Sequence, residues 1–307
     1  MNRYKGYYMI TSRCNLDCDY CVLEDSPDQI ASELDLFSKL HLIDHLYHSL
    51  GFRRITFSGG EVLIAGGKPR QQFIQILNHL KTYKTKDSED NLEVRMYTNA
   101  LLLNDEVADA MIGVVDLVAI NIDSSDGAQL ENFGRKGRLG ATYLERVVKV
   151  MHMLAQRGIP LKIHSVVGKL NHKSLPEQIH SIWKSVEKSG VEVKKWKFYQ
   201  YMSYDDPERD HRHEISLEEF ENFISKVENT NIPKKVNCHF KSNQEMDDSL
   251  FNILHYGNAQ YRLEGDTWTT TRRTLDLREY SSMSDLFEKT GIDKDIFNKH
   301  HLLEPLL

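Results

Sequence analysis

The chain has 307 residues, 40% of them hydrophobic and 27% charged, which is the composition of a folded globular protein. Its net charge is −6, whereas a nonspecific nucleic-acid binder is expected to be basic, so we expect no direct nucleic-acid binding. The sequence has no run of about 18 apolar residues and no signal-peptide pattern near its start, which predicts a cytoplasmic protein without a membrane span.

Strand and helix patterns alternate along the first 201 residues. Apolar residues at helical spacing predict helices, and short runs bounded by glycine or polar residues predict strands. The predicted strands cover residues 7–11, 54–58, 92–98, 116–123, 161–167 and 193–201. The predicted helices cover residues 33–50, 71–81, 105–111, 142–157 and 175–188. Strands separated by helices pair in parallel, so the pattern predicts an α/β fold, a partial (β/α)6 TIM-like barrel.

The pattern changes after residue 202, so we expect a barrel domain over 1–202 and a C-terminal extension over 203–307 that covers the active site. Residues 204–213 are charged and contain a proline, which predicts a loop. Ser216 and Glu219 have capping-box spacing, which predicts a helix over 220–227. Residues 261–263 and 267–275 are expected to form a hairpin, and residues 284–289 and 294–300 two terminal helices.

Three of the four cysteines, Cys14, Cys18 and Cys21, lie close together after the first predicted strand. A disulfide scaffold would spread more cysteines along the chain, so this group predicts a metal site. An iron–sulfur cubane normally takes four thiolates, so three leave one position open, as catalytic metal sites do. The alternative is a structural zinc site with a histidine or Cys238 as fourth ligand. Cys238 is otherwise expected to be a buried thiol in a strand.

The spacing Cys-x3-Cys-x2-Cys, with the aromatic Tyr20 before the last cysteine, resembles the motif of the radical S-adenosylmethionine superfamily. The resemblance implies a 4Fe–4S cluster on Cys14, Cys18 and Cys21. It also implies that the open iron binds S-adenosylmethionine through its amino and carboxylate groups, and that an electron from the cluster cleaves the C–S bond. An electron donor such as flavodoxin or ferredoxin is implied as a partner.

Further motifs of this superfamily follow in order, each at the end of a predicted strand, where barrel active sites are built. Gly59-Gly60-Glu61 resembles the Gly-Gly-Glu motif, in which glycine allows close approach and the carboxylate accepts from the methionine ammonium. Residues 98–100 and 121–124 resemble the strand-end motifs that follow. The resemblance assigns these residues to the cofactor: Ser58, Gly59, Gly60, Glu61, Asn99, Asp123, Ser124 and Arg135.

Basic residues share strand faces in the second half of the predicted barrel. Successive side chains alternate, so Lys195 and Lys197 lie on one face of the sixth strand, and Lys162 and His164 on one face of the fifth. Buried unpaired lysines are unfavourable, so an inward set implies an anionic ligand. The alternative is that these lysines face solvent. The glycine-flanked loop 134–138 is a second basic element.

Residues 120–201 and 239–256 are more specifically similar to viperin and its prokaryotic relatives. The similarity rests on these segments: Asp123-Ser124, Gly134-Arg135-Lys136-Gly137, KIHSVV at 162–167, WKFYQ at 196–200 and SNQEMDDS at 242–249. It implies a ribonucleoside triphosphate substrate. The substrate residues it implies, most of them contacting phosphate, are Arg54, Arg135, Lys162, His164, Lys195 and Lys197.

In the viperin family a hydrogen atom is taken from the ribose C4′ and the 3′-hydroxyl leaves as water. One electron and one proton then complete a 3′-deoxy-3′,4′-didehydro nucleotide, which terminates RNA chains and serves antiviral defence. Tyr256 corresponds to the tyrosine that supplies the final hydrogen. The resemblance implies CTP as the substrate. Lys195 and His164 stand where animal viperin has arginine and asparagine, and these differences leave UTP and GTP open.

Two alternatives remain beside this nucleotide dehydratase, a lyase-type enzyme. A radical enzyme that modifies a peptide often carries further cysteine clusters in its C-terminal part, where this chain has only Cys238. A non-enzymatic iron–sulfur or zinc module would not require the Gly-Gly-Glu and strand-end motifs. Both are therefore weaker interpretations of the sequence.

Overall fold

A computed structural model of the chain describes residues 2–21, 32–85, 88–135, 142–203, 206–246, 251–261, 263 and 273–303. The strands are β1 (Tyr4–Met9), β2 (Phe52–Ser58), β3 (Glu93–Thr98), β4 (Leu117–Asn121), β5 (Leu161–Val167), β6 (Val193–Gln200), β7 (Cys238–Lys241), β8 (Phe251–Ile253), β9 (Asn258–Tyr261) and β10 (Arg273–Asp276). The helices are α1 (Leu36–His48), α2 (Gln71–Leu80), α3 (Asp105–Met111), α4 (Gly127–Asn132), α5 (Tyr143–Ala155), α6 (Leu175–Ser189), α7 (Pro207–His213), α8 (Leu217–Glu228), α9 (Asn243–Met246), α10 (Met283–Thr290) and α11 (Lys294–His301).

All ten strands form one sheet of order β10-β9-β8-β1-β2-β3-β4-β5-β6-β7. Strands β1 to β6 pair in parallel in chain order, with helices between them. The predicted α/β fold with an unclosed, barrel-like parallel sheet is therefore confirmed. The helix caps agree with the sequence signals, since Thr142 and Ser216 both form capping boxes.

The segment after residue 202 contributes to the same sheet. Strand β7 pairs in parallel with β6, and β8 pairs in parallel with β1. Two strands that follow each other along the chain thus stand at opposite ends of the parallel part of the sheet. Strands β9 and β10 form an antiparallel pair near the predicted hairpin, whose centre at 264–266 lies outside the described residues. The division at residue 202 stays a prediction.

The predicted loop over residues 204–213 is wrong for its second half, which forms the helix α7. Asp206 caps this helix by accepting from the backbone amides of Glu208 and Arg209, and Pro207 occupies its first turn. The segment has no apolar periodicity because its buried side chains, Arg209, Asp210 and His213, are polar. Asp206 and Pro207 are local start signals, but the helix lacks an apolar face, and contacts with the distant cysteine segment stabilise it.

The two faces of the parallel sheet differ in chemistry. One face is apolar and packs on helices, as where the Trp196 ring stacks on Trp183 of α6 at a centroid distance of 6.3 Å. The inward face carries polar and charged side chains around a cavity. A closed barrel would fill this space with branched apolar residues, so the inward face is built for a ligand. No helix in the described ranges has the length and apolarity that a membrane crossing requires.

Candidate active site

The cysteine loop, residues 10–21, follows the carboxyl end of β1. Cys14 is exposed, and Cys18 and Cys21 are partly buried. The Cys21 amide donates to the Cys18 carbonyl at 2.9 Å, which closes a tight turn between the two. The Cys14 sulfur accepts from the Leu16 amide at 3.4 Å and from Asn99 Nδ2 at 3.8 Å. The structure thus places the predicted metal ligands and Asn99 around one loop.

The cysteine loop fits a positively charged metal group. Burial raises the pKa of the Cys18 thiol to about 11, so its thiolate requires a compensating cation such as the iron of a cluster. Within the described ranges, no three His, Cys, Asp or Glu side chains are placed to hold a metal ion. In a cubane cluster each thiolate binds a different iron, so the three sulfurs need not converge on one point.

The backbone at Gly59 and Gly60 lies directly against the cysteine loop. The Gly60 and Glu61 amides donate to the carbonyls of Thr11 and Arg13 at 3.0 and 2.8 Å. A Cβ atom on Gly59 would lie 2.5 Å from the Thr11 oxygen, and one on Gly60 would lie 2.3 Å from the Arg13 oxygen. Glycine is therefore required here so that the end of β2 can approach this loop.

The Glu61 carboxylate joins the ends of β2 and β3. It is fully buried and accepts from the Thr98 hydroxyl, the Asn99 amide and the Leu63 amide at 2.8, 2.7 and 3.1 Å. Burial raises its pKa to about 7. Ala100, which follows Asn99, has a φ of 68°, in the left-handed region that favours glycine. Contact between Glu61 and a methionine ammonium stays a prediction.

Asp123 and Arg135 are brought together, while Ser124 faces elsewhere. Arg135 Nε lies 2.6 Å from Asp123 Oδ2, and both side chains are buried beside Tyr20 of the cysteine loop. Ser124 is buried and its hydroxyl lies 2.5 and 2.7 Å from the side-chain oxygens of Gln129 and Gln178. Residues 136–138 of the predicted basic loop lie outside the described residues.

A cavity of about 420 Å³ lies on the inward face, and seven cationic side chains but only two carboxylates line it. The charged lining residues are Lys5, Arg54, Glu93, Arg95, Asp116, Lys162, Lys194, Lys195 and Lys197. Of the two orientations that the sequence left open for Lys162, Lys195 and Lys197, the structure has the inward one, and Trp196 lies buried on the opposite face of β6. Arg135 is absent from this lining and sits at the cysteine loop instead.

Two of these lysines carry strongly lowered pKa values. Lys162 is 3% exposed, and burial together with Lys197 and other cations lowers its pKa to about 7. Burial and the neighbouring Lys195 lower the pKa of Lys197 to about 8. Arg54 and Arg95 both bond the Glu93 carboxylate, whereas Lys162 and Lys197 form no ion pair with any described carboxylate. The cavity therefore holds uncompensated positive charge.

An aromatic layer crosses the barrel interior beside the lysines. The Tyr97 ring contacts Tyr7 at 5.9 Å and His164 at 4.9 Å, and His164 contacts Tyr199 at 5.2 Å between centroids. Burial and the flanking cations lower the His164 pKa, so the ring is neutral, and its buried Nε2 has no hydrogen-bond partner in the described part of the chain. The sequence analysis did not single out Tyr97 or Tyr199. Each lies two positions along its strand from a residue that lines the cavity, and therefore on the same inward face.

Tyr256 lies at the tip of the turn between β8 and β9. Strand β8 runs parallel to β1, so this turn is at the same end of the sheet as the cysteine loop. The Tyr256 ring is half-buried and meets His255 edge-to-face at 5.2 Å. Its predicted catalytic role stays a prediction.

Helix α7 and its contacts with the cysteine loop were missed from the sequence. Arg209 Nη1 donates to the Cys21 carbonyl at 3.4 Å, and His213 Nε2 lies 3.1 Å from Asp19 Oδ2. A third unpredicted contact is the buried pair of Lys39 and Glu33, in which Glu33 also accepts from Thr11 at 2.7 Å. The partners of α7 are far apart in sequence, whereas Lys39 and Glu33 are only six positions apart but belong to none of the recognised motifs.

The sequence model of the Radical SAM superfamily matches residues 8–181, more than half of the chain. The GTP 3',8-cyclase of Chlorobaculum tepidum is 29% identical over 170 residues, which are 54% of this chain and 46% of that protein. This chain spans about half the length of such curated relatives.

Two solved structures share the fold over nearly the whole chain. Streptococcus suis SuiB bound to S-adenosylmethionine is 13% identical with a TM-score of 0.66, over 96% of this chain and 67% of that chain. A structure of anSMEcpe with bound AdoMet and a peptide is 16% identical with a TM-score of 0.67, over 94% of this chain and 81% of that one. At these identities the likeness concerns the fold.

Proposed function

We propose, from the premise that this chain belongs to the Radical SAM superfamily, that it abstracts a hydrogen atom from the ribose of a ribonucleoside triphosphate. The superfamily's cofactors, a 4Fe–4S cluster and S-adenosylmethionine, supply a 5′-deoxyadenosyl radical when bound. The proposed product is the 3′-deoxy-3′,4′-didehydro nucleotide of viperin and its relatives. CTP is the first substrate to test, followed by UTP and GTP.

The observation that carries this proposal is the buried, unpaired charge of Lys162. An ammonium that is 3% exposed and has no carboxylate partner among the described residues destabilises the fold, unless a ligand supplies the opposite charge. A triphosphate supplies several negative charges in one small molecule and accepts charge-assisted hydrogen bonds. Lys195, Lys197 and Arg54 line the same cavity and would bind the remaining phosphate oxygens.

The position of the cavity supports a nucleotide over a lone phosphate. Most of the lining residues lie before or within the amino-terminal halves of the strands, whereas the cysteine loop and Glu61 follow the carboxyl ends. Five residues separate Lys162 from the end of β5, a distance of roughly 16 Å at about 3.3 Å per residue. A ligand whose phosphates contact Lys162 therefore points its ribose along the strands toward the cysteine loop.

The proposed reaction balances as follows in atoms and electrons. The C4′–H bond breaks and its hydrogen atom goes to the 5′-deoxyadenosyl carbon. The C3′–O bond breaks as the C3′–C4′ double bond forms, and the hydroxyl needs one proton and one electron in total to leave as water. Tyr256 is proposed to deliver both as one hydrogen atom, and a donor such as flavodoxin or ferredoxin, with a proton from solvent, restores the tyrosine.

The comparisons support a nucleotide substrate and leave one competing class. Relatives similar to about half of this chain are named for an activity on GTP, which is a ribonucleoside triphosphate. The solved structures of similar fold include complexes with peptides. The basic cavity favours the nucleotide, because nothing in a peptide backbone compensates the charge of Lys162.

The test is an anaerobic assay of the reconstituted protein with dithionite and S-adenosylmethionine. Each ribonucleoside triphosphate is added in turn, and 5′-deoxyadenosine and dehydrated nucleotide are quantified by mass spectrometry. We expect one triphosphate to stimulate 5′-deoxyadenosine formation in the wild type and in Lys149→Gln, an exposed control, but not in Lys162→Gln. Equal, unstimulated formation with all four triphosphates would exclude the proposal and favour a peptide substrate.

A further inference from the structure

Four buried polar side chains from separate parts of the chain form one hydrogen-bonded network beside the cysteine loop. The Tyr20 hydroxyl donates to Asp123 Oδ2 at 2.7 Å, and Arg135 Nε lies 2.6 Å from each of these two oxygens. Arg135 Nη1 donates to the Tyr143 hydroxyl at 3.1 Å, which in turn donates to the Asn121 carbonyl at 3.1 Å. We call Tyr20, Asp123, Arg135 and Tyr143 the loop clamp.

The loop clamp is buried from water. The exposed fractions are 0% for Asp123, 1% for Tyr143, 6% for Arg135 and 8% for Tyr20. A buried ion pair gains little over apolar residues of similar volume, because desolvation offsets the attraction. Stability alone therefore does not explain this network. A fully bonded polar network does fix one geometry, because every member loses a partner when any of them moves.

What the loop clamp fixes is the part of the loop that carries Cys18 and Cys21. Tyr20 lies between these two cysteines, and Cys18 packs against the apolar group formed by Tyr20 with Phe133 and Tyr201. On the same side, a Cβ atom on Gly134 would lie 1.8 Å from the Asp17 carbonyl oxygen. The backbone next to Arg135 thus contacts the cysteine loop directly, beside the loop clamp.

The far end of the loop clamp is anchored to the sheet. Asp123 Oδ1 accepts from the Val166 amide at 2.8 Å at the end of β5. Tyr143 is the first residue of α5 and reaches back to the Asn121 carbonyl at the end of β4. The Tyr20 hydroxyl is therefore held by two strand ends and one helix, which are rigid parts of the fold.

We propose that the loop clamp is a positioning network for the cluster ligands. Asp123, Arg135 and Tyr143 hold the Tyr20 phenol, and Tyr20 holds the Cys18–Cys21 turn in the arrangement that receives the cluster. Partners beyond the metal ligands commonly set ligand orientation in this way. The proposal gives Asp123 and Arg135 a role independent of any contact with S-adenosylmethionine. It also assigns a role to Tyr143, which belongs to none of the sequence motifs.

The test compares Tyr20→Phe and Tyr143→Phe with Tyr83→Phe. Tyr83 is a matched control, since its hydroxyl donates to Asp44 at 2.5 Å in another part of the fold. Each reconstituted protein is measured for the rate of iron loss to a chelator, the electron paramagnetic resonance spectrum of the reduced cluster, and its midpoint potential. The melting temperature of each apoprotein reports the fold separately.

We expect Tyr20→Phe to lose iron about tenfold faster than the wild type, the lower end of the effect of such partners. Tyr143→Phe, which does not touch the cysteine loop, should change the spectrum and the potential in the same direction by less. Tyr83→Phe should leave both unchanged. Wild-type iron loss, spectrum and potential in both clamp variants would overturn the proposal, as would equal changes in Tyr83→Phe.

Discussion

The Lys162 ammonium donates to the Tyr97 hydroxyl at 3.3 Å in a cavity wall where no described carboxylate approaches it. Replacing Lys162 by Met should stabilise the ligand-free protein by about 1–3 kcal/mol at pH 7 while abolishing triphosphate binding. The folded-state pKa of about 7 lies below the ordinary 10.5, so the destabilisation is complete below pH 7 and fades toward 10.5. Urea unfolding and calorimetric titration measure the two effects. A loss of stability would show that Lys162 is compensated within the protein.

Triphosphate binding should take up protons above pH 7. The pKa values of Lys162 and Lys197, about 7 and about 8 in the free protein, should rise when phosphates supply negative charge. Binding should therefore weaken as the pH rises from about 7 to 9, because the ammonium forms that bind are depleted. Calorimetry in buffers of different ionisation enthalpy measures the uptake. Constant affinity across this window without proton uptake would contradict the assignment.

Gly60→Ala should prevent cluster binding. The added Cβ would lie 2.3 Å from the Arg13 carbonyl oxygen, which is backbone and can yield only if the cysteine loop moves. We expect the iron content after reconstitution to fall severalfold. Gly127→Ala is the control, because its Cβ would meet only Thr142 Cγ2, at 3.4 Å. Full iron loading in Gly60→Ala would show that the loop tolerates displacement.

Ala100→Gly should stabilise the protein. Ala100 is held at a φ of 68°, where an L-residue with a Cβ is strained by about 1–2 kcal/mol. Glycine relieves this strain but adds unfolded-state entropy, so we expect a net gain of about 0.5–1 kcal/mol in the free energy of unfolding. Ala108→Gly in the middle of α3 should instead destabilise by about 1 kcal/mol or more. Equal losses in both variants would contradict this explanation.

Lys39→Met should destabilise the fold strongly. The buried Lys39 ammonium contacts Glu33 Oε1 and Gln72 Oε1 at 2.6 Å each. Its removal leaves too little positive charge nearby to compensate the Glu33 carboxylate. We expect a loss of about 3–5 kcal/mol by urea unfolding. The double variant with Glu33→Gln should recover most of it, because no buried charge remains. If the double variant is as unstable as the single one, packing around Lys39 matters more than its charge.

Much of the fold was predictable because the periodicity of apolar and polar residues within single segments indicates helices and strands. Strand β5 and helix α3 have the predicted bounds, and the alternation of Lys195, Trp196 and Lys197 correctly assigned the two faces of β6. Cys238 was expected to be a buried thiol in a strand; it begins β7 but is only partly buried. The bounds of β7 and the whole of β8 were missed, since three or four residues carry too little pattern to identify a strand. They are strands because β7 pairs with β6 and β8 pairs with β1, and both partners are distant in sequence.

The candidate site was predictable where a motif carried it and not where distant residues meet. The cysteines, the glycines after β2 and the shared face of Lys195 and Lys197 were all recognisable from spacing, whereas the inward direction of that face was left open. The contact between Tyr20 and Asp123 joins residues 103 positions apart, so no local signal exists for it. The same holds for Arg209 of α7, whose guanidinium reaches the Cys21 carbonyl.

The sheet order places β7 and β8, which are consecutive along the chain, at opposite ends of eight parallel strands. Among the described residues no backbone ladder joins these two, so the barrel has a seam running along its full height. The curvature of the sheet can change across this seam without breaking a single inter-strand hydrogen bond.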